Sequence, residues 1–289
     1  MTLQQLISLG IQGSMALIVF AVGLHARFDD LLYLLRRPGL LVRSLLAMNV
    51  IMPAIAVAIA YWLDVQHPLK VALIALSVSP VPPFLPSTQL KAGGRESYVI
   101  GLLATASLVS IVFVPSAAAI VGRIFGQEVR TAPSAIAGVV VTSILAPLVA
   151  GIVVNRLAPK VAAFLARPVS LLGTVVLVVA FLPVLVKIWP AIVASFGNFT
   201  LLTILAFCAI GIFVGHVLGG PERADRAVLG PATASRHPAV ALAVVHNTDE
   251  LLLPVLGIVL VALIVGAVLG AVYQKLLARS GAAPGRPAG

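Results

Sequence analysis

Nine apolar stretches, each long enough to cross a hydrocarbon layer, follow one another with short loops between them, and they leave this chain few folds. A membrane helix needs about 20 apolar residues. That length rule places spans near residues 5–25, 38–62, 68–92, 96–122, 133–155, 168–186, 198–218, 224–247 and 251–274. Within lipid no water satisfies N–H and C=O groups, so spans of this length must be helices that bond within themselves. The expected class is an all-α polytopic membrane protein with nine transmembrane helices. Hydrophobic residues are 61% of the chain and charged ones 10%, against about 25% charged in soluble domains.

The few charges set the topology. A net charge of +10 would suit nucleic acid, but the basic residues are scattered singly through short loops rather than gathered in a patch. No nucleic-acid partner is expected; the lipid bilayer is. With the amino terminus outside, inner loops hold thirteen basic residues (Arg27, Arg36, Arg37, Lys91, Arg95, Arg156, Lys160, Arg167, Arg223, Arg226, Lys275, Arg279, Arg286). Outer loops hold four, Lys70, Arg123, Arg130 and Lys187. This asymmetry predicts a multi-pass protein of a cell membrane, of the bacterial inner-membrane kind, with its carboxyl terminus in the cytoplasm. The first stretch, 6–24, lacks a basic lead and is expected to stay as a span rather than be cleaved as a signal. One cysteine, Cys208, allows neither a disulfide framework nor a cysteine metal cluster within the chain, and no cofactor is expected. The Gly/Pro/Ala-rich tail at 280–289 reads as disordered.

Two spans are interrupted by proline at matching places in the two halves: Ser77-Val78-Ser79-Pro80-Val81-Pro82-Pro83 and Gly230-Pro231-Ala232-Thr233-Ala234-Ser235-Arg236-His237-Pro238. Proline lacks the backbone donor and clashes with the preceding turn, so spans 3 and 8 are expected to break at 80–83 and 231–238. Span 3 starts outside and span 8 inside, so the two broken helices should cross in opposite directions, as inverted repeats require. Spans 1–4 would mirror spans 6–9. Helix restarts near Pro83 and Pro238, with Ser235 or His237 as caps, would aim partial positive charge at the membrane centre, where an anion can bind. The second break also carries Arg236, and a charge there costs about 2.5–3.5 kcal/mol or more unless it is paired.

These residues resemble one known family. The first break through Phe84-Leu85-Pro86, then Leu90-Lys91-Ala92-Gly93-Gly94 and Tyr98, with Ala234-Ser235-Arg236-His237-Pro238-Ala239, is similar to the bile acid:sodium symporter family. Residues 20–30 and Ile51-Met52-Pro53 extend the likeness over nearly the whole chain. The resemblance implies a panel domain, here spans 1–2 (1–62) and 5–6 (133–186), beside a core domain of spans 3–4 (68–122) and 7–9 (198–274). It implies alternating access by movement of one domain against the other. It also aligns the sodium-binding side chains of coupled members with Leu85, Pro86, Val99, Leu103, Ala232, Arg236 and Met48. Apolar side chains cannot replace a hard cation's oxygen ligands.

The expected function is therefore secondary transport of a small organic anion without sodium coupling, Arg236 standing in for the bound cation by bonding carbonyls near Ser79. Proton coupling through His237 is one version of it. The candidate substrate-binding residues are Arg236, His237, Ser235, Thr233, Ser79, Pro80, Pro82, Pro83 and Asn49. Each also has a structural reading: Arg236 as a tie across the crossing, His237 as a helix cap, Asn49 as a bond between helices. Two alternatives stay in view, a sodium-dependent bile-acid-type symporter with a non-standard ion site and a non-transporting sensor. An intramembrane enzyme would need a spacing such as His-Glu-x-x-His, which does not occur.

Overall fold

The computed structural model describes residues 3–125, 131–194, 199–245 and 249–279. The expected disordered tail, Arg130 and Arg286 lie outside the described residues. Every regular element among those residues is helical. In order they are α1 (Leu3–Gly23), α2 (Phe28–Leu31), α3 (Pro38–Leu45), α4 (Met52–Trp62), α5 (His67–Val78), α6 (Leu85–Lys91) and α7 (Glu96–Ile124). Then come α8 (Pro133–Val140), α9 (Ala146–Leu157), α10 (Pro159–Ala194), α11 (Thr200–Leu218), α12 (Arg223–Ala234), α13 (Pro238–Val245) and α14 (Asp249–Arg279). Wider, π-helical turns at Leu46–Ile51 and Val141–Leu145 join α3 to α4 and α8 to α9.

Among the described residues six continuous helical stretches are long and apolar enough to cross a membrane: Pro38–Trp62, Glu96–Ile124, Pro133–Leu157, Pro159–Pro190, Thr200–Leu218 and Leu251–Arg279. The protein is a multi-pass membrane protein. Only 6% of the apolar window in α10 is buried inside the protein, so Leu171, Val175, Val179 and Val186 face outward as a lipid-exposed helix requires. α10 begins earlier than the expected 168, at Pro159, because proline suits the first turn of a helix, where its missing N–H is no loss.

Span 3 breaks where proline density demands. α5 stops at Val78, 79–84 carries no helix, and α6 restarts at Leu85 with Pro86 in its first turn. The second break is shorter than the sequence suggests. α12 runs through Pro231 to Ala234, and only 235–237 is unwound. Pro231 deprives the Ala227 carbonyl of its donor four residues on. The Gln274 side chain of α14 donates there at 3.5 Å, so the helix survives.

The two broken spans run antiparallel. α5, the first half of one, packs on α13, the second half of the other, while α6 packs on α12. Glycines let the neighbouring helices close in: a Cβ at Gly215 of α11 would collide with the Thr233 hydroxyl and the Leu229 carbonyl of α12. α1 sits apart from that crossing, against α9 and α10, where Gly23 and Gly151 bring two backbones into direct contact. Span 2 packs instead on α5, with further contacts to α11.

Candidate functional site

The crossing of the broken spans gathers backbone groups that prolines have orphaned. In span 2, Pro53 has no N–H to give the carbonyl five residues earlier, that of Met48. The helix widens locally, the Met52 N–H reaching back to Ala47, and the Met48 carbonyl turns to another donor. Arg236 supplies it, Nη2 donating at 2.8 Å. Its Nη1 donates to the Ser79 carbonyl at 3.1 Å, at the end of α5. The backbone N–H of His237 donates to the Pro80 carbonyl at 2.8 Å. Three spans are thereby tied by one dipeptide.

Arg236 and His237 are 2% and 0% exposed, and no carboxylate among the described residues pairs with the guanidinium. Hydrogen bonds to a charged group are worth about 1.5–3 kcal/mol each. Two of them offset a burial cost of about 2.5–3.5 kcal/mol. The positive charge is therefore tolerated but not neutralised. Arg236 Nε and His237 Nδ1, both buried, have no partner among the described residues. On its other edge His237 Nε2 lies 3.5 Å from the hydroxyl of Ser143. Ser143 belongs to the widened turn of span 5, where Pro147 plays the part that Pro53 plays in span 2.

The remaining candidates divide. Ser79 and Pro80 contribute carbonyls, and the Ser79 hydroxyl bonds back to Ala75 at 2.7 Å. Pro82 and Pro83 are buried in the unwound stretch, and Asn49 is half-buried beside Met48. Thr233 points away from the break: it lies within α12, and its hydroxyl bonds Gly211 of α11 at 2.5 Å. Ser235 lies against Gly266 of α14. The sequence reading missed Ser143 and the Met48 carbonyl as partners of the break. The signal near both was a proline in mid-span, Pro147 and Pro53, each directly following a widened turn.

The residues that the resemblance aligns with sodium ligands do not make a cation site. Leu85, Val99, Leu103, Ala232 and Met48 are each 5% exposed or less and pack in one apolar cluster with Val81. Where oxygen ligands would be needed the chain offers methyl groups, and the Ser79 and Met48 carbonyls already accept from a guanidinium. Sodium of that design does not fit these residues.

Apolar contacts close the region on both sides. Val78 and Val240 pack with Ile136 and Val140 of α8 toward one end, while Val81 and Leu85 pack in a cluster with Ile144 and Leu148 toward the other. Residues 14–194 match a family model described as Sodium Bile acid symporter family. No curated protein matches the chain.

Proposed function

The chain belongs to the Sodium Bile acid symporter family, and from that premise we propose that it is a secondary transporter of a small organic anion that works without sodium. The observation that carries this reading is Arg236, buried with no carboxylate partner among the described residues and bonded to the Ser79 and Met48 carbonyls. A guanidinium stays charged at any workable pH and cannot leave. It supplies permanently the positive charge that a diffusing cation would bring. The carboxylate or sulfonate of a substrate would meet Arg236 Nε and the start of α13. Ser79, Pro80 and His237 hold that geometry, with Pro82, Pro83 and Asn49 beside it.

Alternating access would come from α1, span 5 and α10 moving as a panel against the rest, in a protein of nine spans counting the two broken ones and α1. Span 2 is assigned to the core, not to the panel with span 1. It packs on α5, as α11 packs on α12, and it gives Arg236 a carbonyl. Apolar packing on both sides of the crossing supports an occluded state. The polar contact between Ser143 and His237 lies at the boundary between the two groups.

The test is uptake into proteoliposomes of purified protein across a panel of organic anions, with a sodium gradient, a proton gradient or neither. Uptake at the same rate with and without sodium is expected. Strict sodium dependence would refute the role given to Arg236, and acceleration by a proton gradient that is lost in His237→Gln would select the proton-coupled version.

A further inference from the structure

The junction between α1 and α2 bridges two packed groups. α1 is bound to α9 through the Gly23–Gly151 contact and to α10 where Gly173 meets Ile18. α2 is bound instead to α7: one oxygen of Asp30 accepts from the Ser97 hydroxyl at 2.6 Å, the other from the Arg27 backbone N–H at 2.7 Å, and Gly101 admits the Asp30 backbone closely. On the panel-and-core movement proposed above, the few residues between, 24–27, link elements that would move relative to each other.

Beside this link lies a cavity of about 360 Å³, bounded by Ala26, Arg27, Phe28 and Asp29 on one wall and by Asn155 and Arg156 of α9 on the other. Two guanidiniums line it, those of Arg27 and Arg156, and among the described residues neither guanidinium is paired with a carboxylate. The acid in the wall, Asp29, is taken by Arg36 at 2.9 Å. Asn155 is also occupied, donating to the Ala26 carbonyl at 3.0 Å. Arg156 stands over the Phe28 ring, 5.8 Å from its centroid. Paired guanidinium forks match the oxygens of a phosphate bidentately. A basic cavity between membrane helices at the level of their ends is where an anionic headgroup binds.

We propose that this cavity is a phosphate-binding site, filled by the phosphate of an anionic phospholipid or of a soluble phosphomonoester, which clamps the α1–α2 link to α9. Arg27 comes from the link and Arg156 from the far wall, so one phosphate bonded to both would hold the hinge in a single setting. The site is independent of the crossing and of what the crossing carries.

Binding, not transport, tests it. Purified protein in a neutral detergent is titrated with dioleoyl phosphatidylglycerol, with dioleoyl phosphatidylcholine, with glycerol 3-phosphate and with inorganic phosphate, and the melting temperature is followed. Saturating phosphatidylglycerol is expected to raise it by about 4 °C or more. Arg27→Gln with Arg156→Gln should abolish the rise, each single change weakening half-saturation about tenfold or more. Arg123→Gln, on the opposite end of α7, serves as the control that leaves it unchanged. A rise given equally by glycerol 3-phosphate assigns the site to soluble phosphate. A rise that survives in the double variant, or the lack of any rise with phosphatidylglycerol, glycerol 3-phosphate and inorganic phosphate alike, overturns the proposal.

Discussion

Replacing Arg236 with methionine separates a guanidinium that holds the crossing together from one that merely waits for a ligand. The substitution removes two charge-assisted bonds, to Ser79 and Met48, worth about 3–6 kcal/mol together. It also removes a buried charge, regaining about 2.5–3.5 kcal/mol. The two ranges differ by about 1.5 kcal/mol at their centres and by about 3.5 kcal/mol at most, so a fall of roughly 3–10 °C in melting temperature is expected, read by fluorescence-detected size exclusion after heating. A second change sharpens the test. Pro53→Ala restores a backbone N–H to the turn that orphans Met48, so one of the two carbonyls no longer needs Arg236. In that background Arg236→Met should cost about 1–2 kcal/mol less, a coupling well above the ~0.5 kcal/mol scatter expected of independent sites. Strict additivity would refute the tie between proline-orphaned carbonyls and the guanidinium.

Gly215→Val should push α11 off α12, because its side chain meets the Thr233 hydroxyl and the Leu229 carbonyl; a loss of about 3 kcal/mol or more is expected and shows as poor yield of monodisperse protein. Arg95 bonds Asp225 at 2.7 Å and pairs with Glu222, and the Asp225 bond holds its guanidinium above its ordinary basicity. Arg95→Met strands Asp225, which is 6% exposed, at a cost of about 3–5 kcal/mol, most of it recovered when Asp225→Asn is added. Ser143→Leu, at the contact with His237, should leave the fold intact and slow substrate exchange severalfold, read as tracer counterflow. With a monovalent anion, exchange should be electrically silent and net uptake electrogenic, read as current on a solid-supported membrane.

Much of this architecture was legible because lipid admits few solutions. An apolar stretch must be a helix, and Pro80-Val81-Pro82-Pro83 must stop one, so the first break lies where the sequence placed it. The second break was overestimated because the effect of Pro231 depends on a distant residue. Gln274, 43 positions on by the difference of the two numbers, rescues the Ala227 carbonyl, and no local pattern announces that. The bond from Arg236 to Ser79 followed from counting orphaned carbonyls, but the count stopped at the breaks. Pro53 and Pro147 orphan carbonyls too, in spans that continue as helix through a single wider turn. Hydropathy does not register such a turn. Nor does it say which side of α12 a hydroxyl takes, and Thr233 turned toward α11.

A fixed guanidinium changes what the membrane potential acts on. A dissociable cation enters and leaves with each cycle, so its gradient drives the substrate. Arg236 is bonded to the Ser79 and Met48 carbonyls and stays with the broken helices. If those helices shift relative to the bilayer, the charge of Arg236 shifts with them. Loaded with a monovalent anion, the moving unit is close to neutral, and the potential hardly touches that step. Emptied, it carries one positive charge, and a full crossing of 100 mV is then worth about 2.3 kcal/mol. The potential therefore falls on the return of the empty carrier. Exchange of one anion for another never visits that state, which makes the fixed charge a bias toward exchange over net flux. A carrier built this way would draw on its substrates' own gradients, and under that proposal the apolar cluster of Leu85, Val99, Leu103 and Met48 would be its structural counterpart. On the proposed sodium-free reading no diffusing ion needs coordinating there, which agrees with the apolar packing of the space beside the crossing.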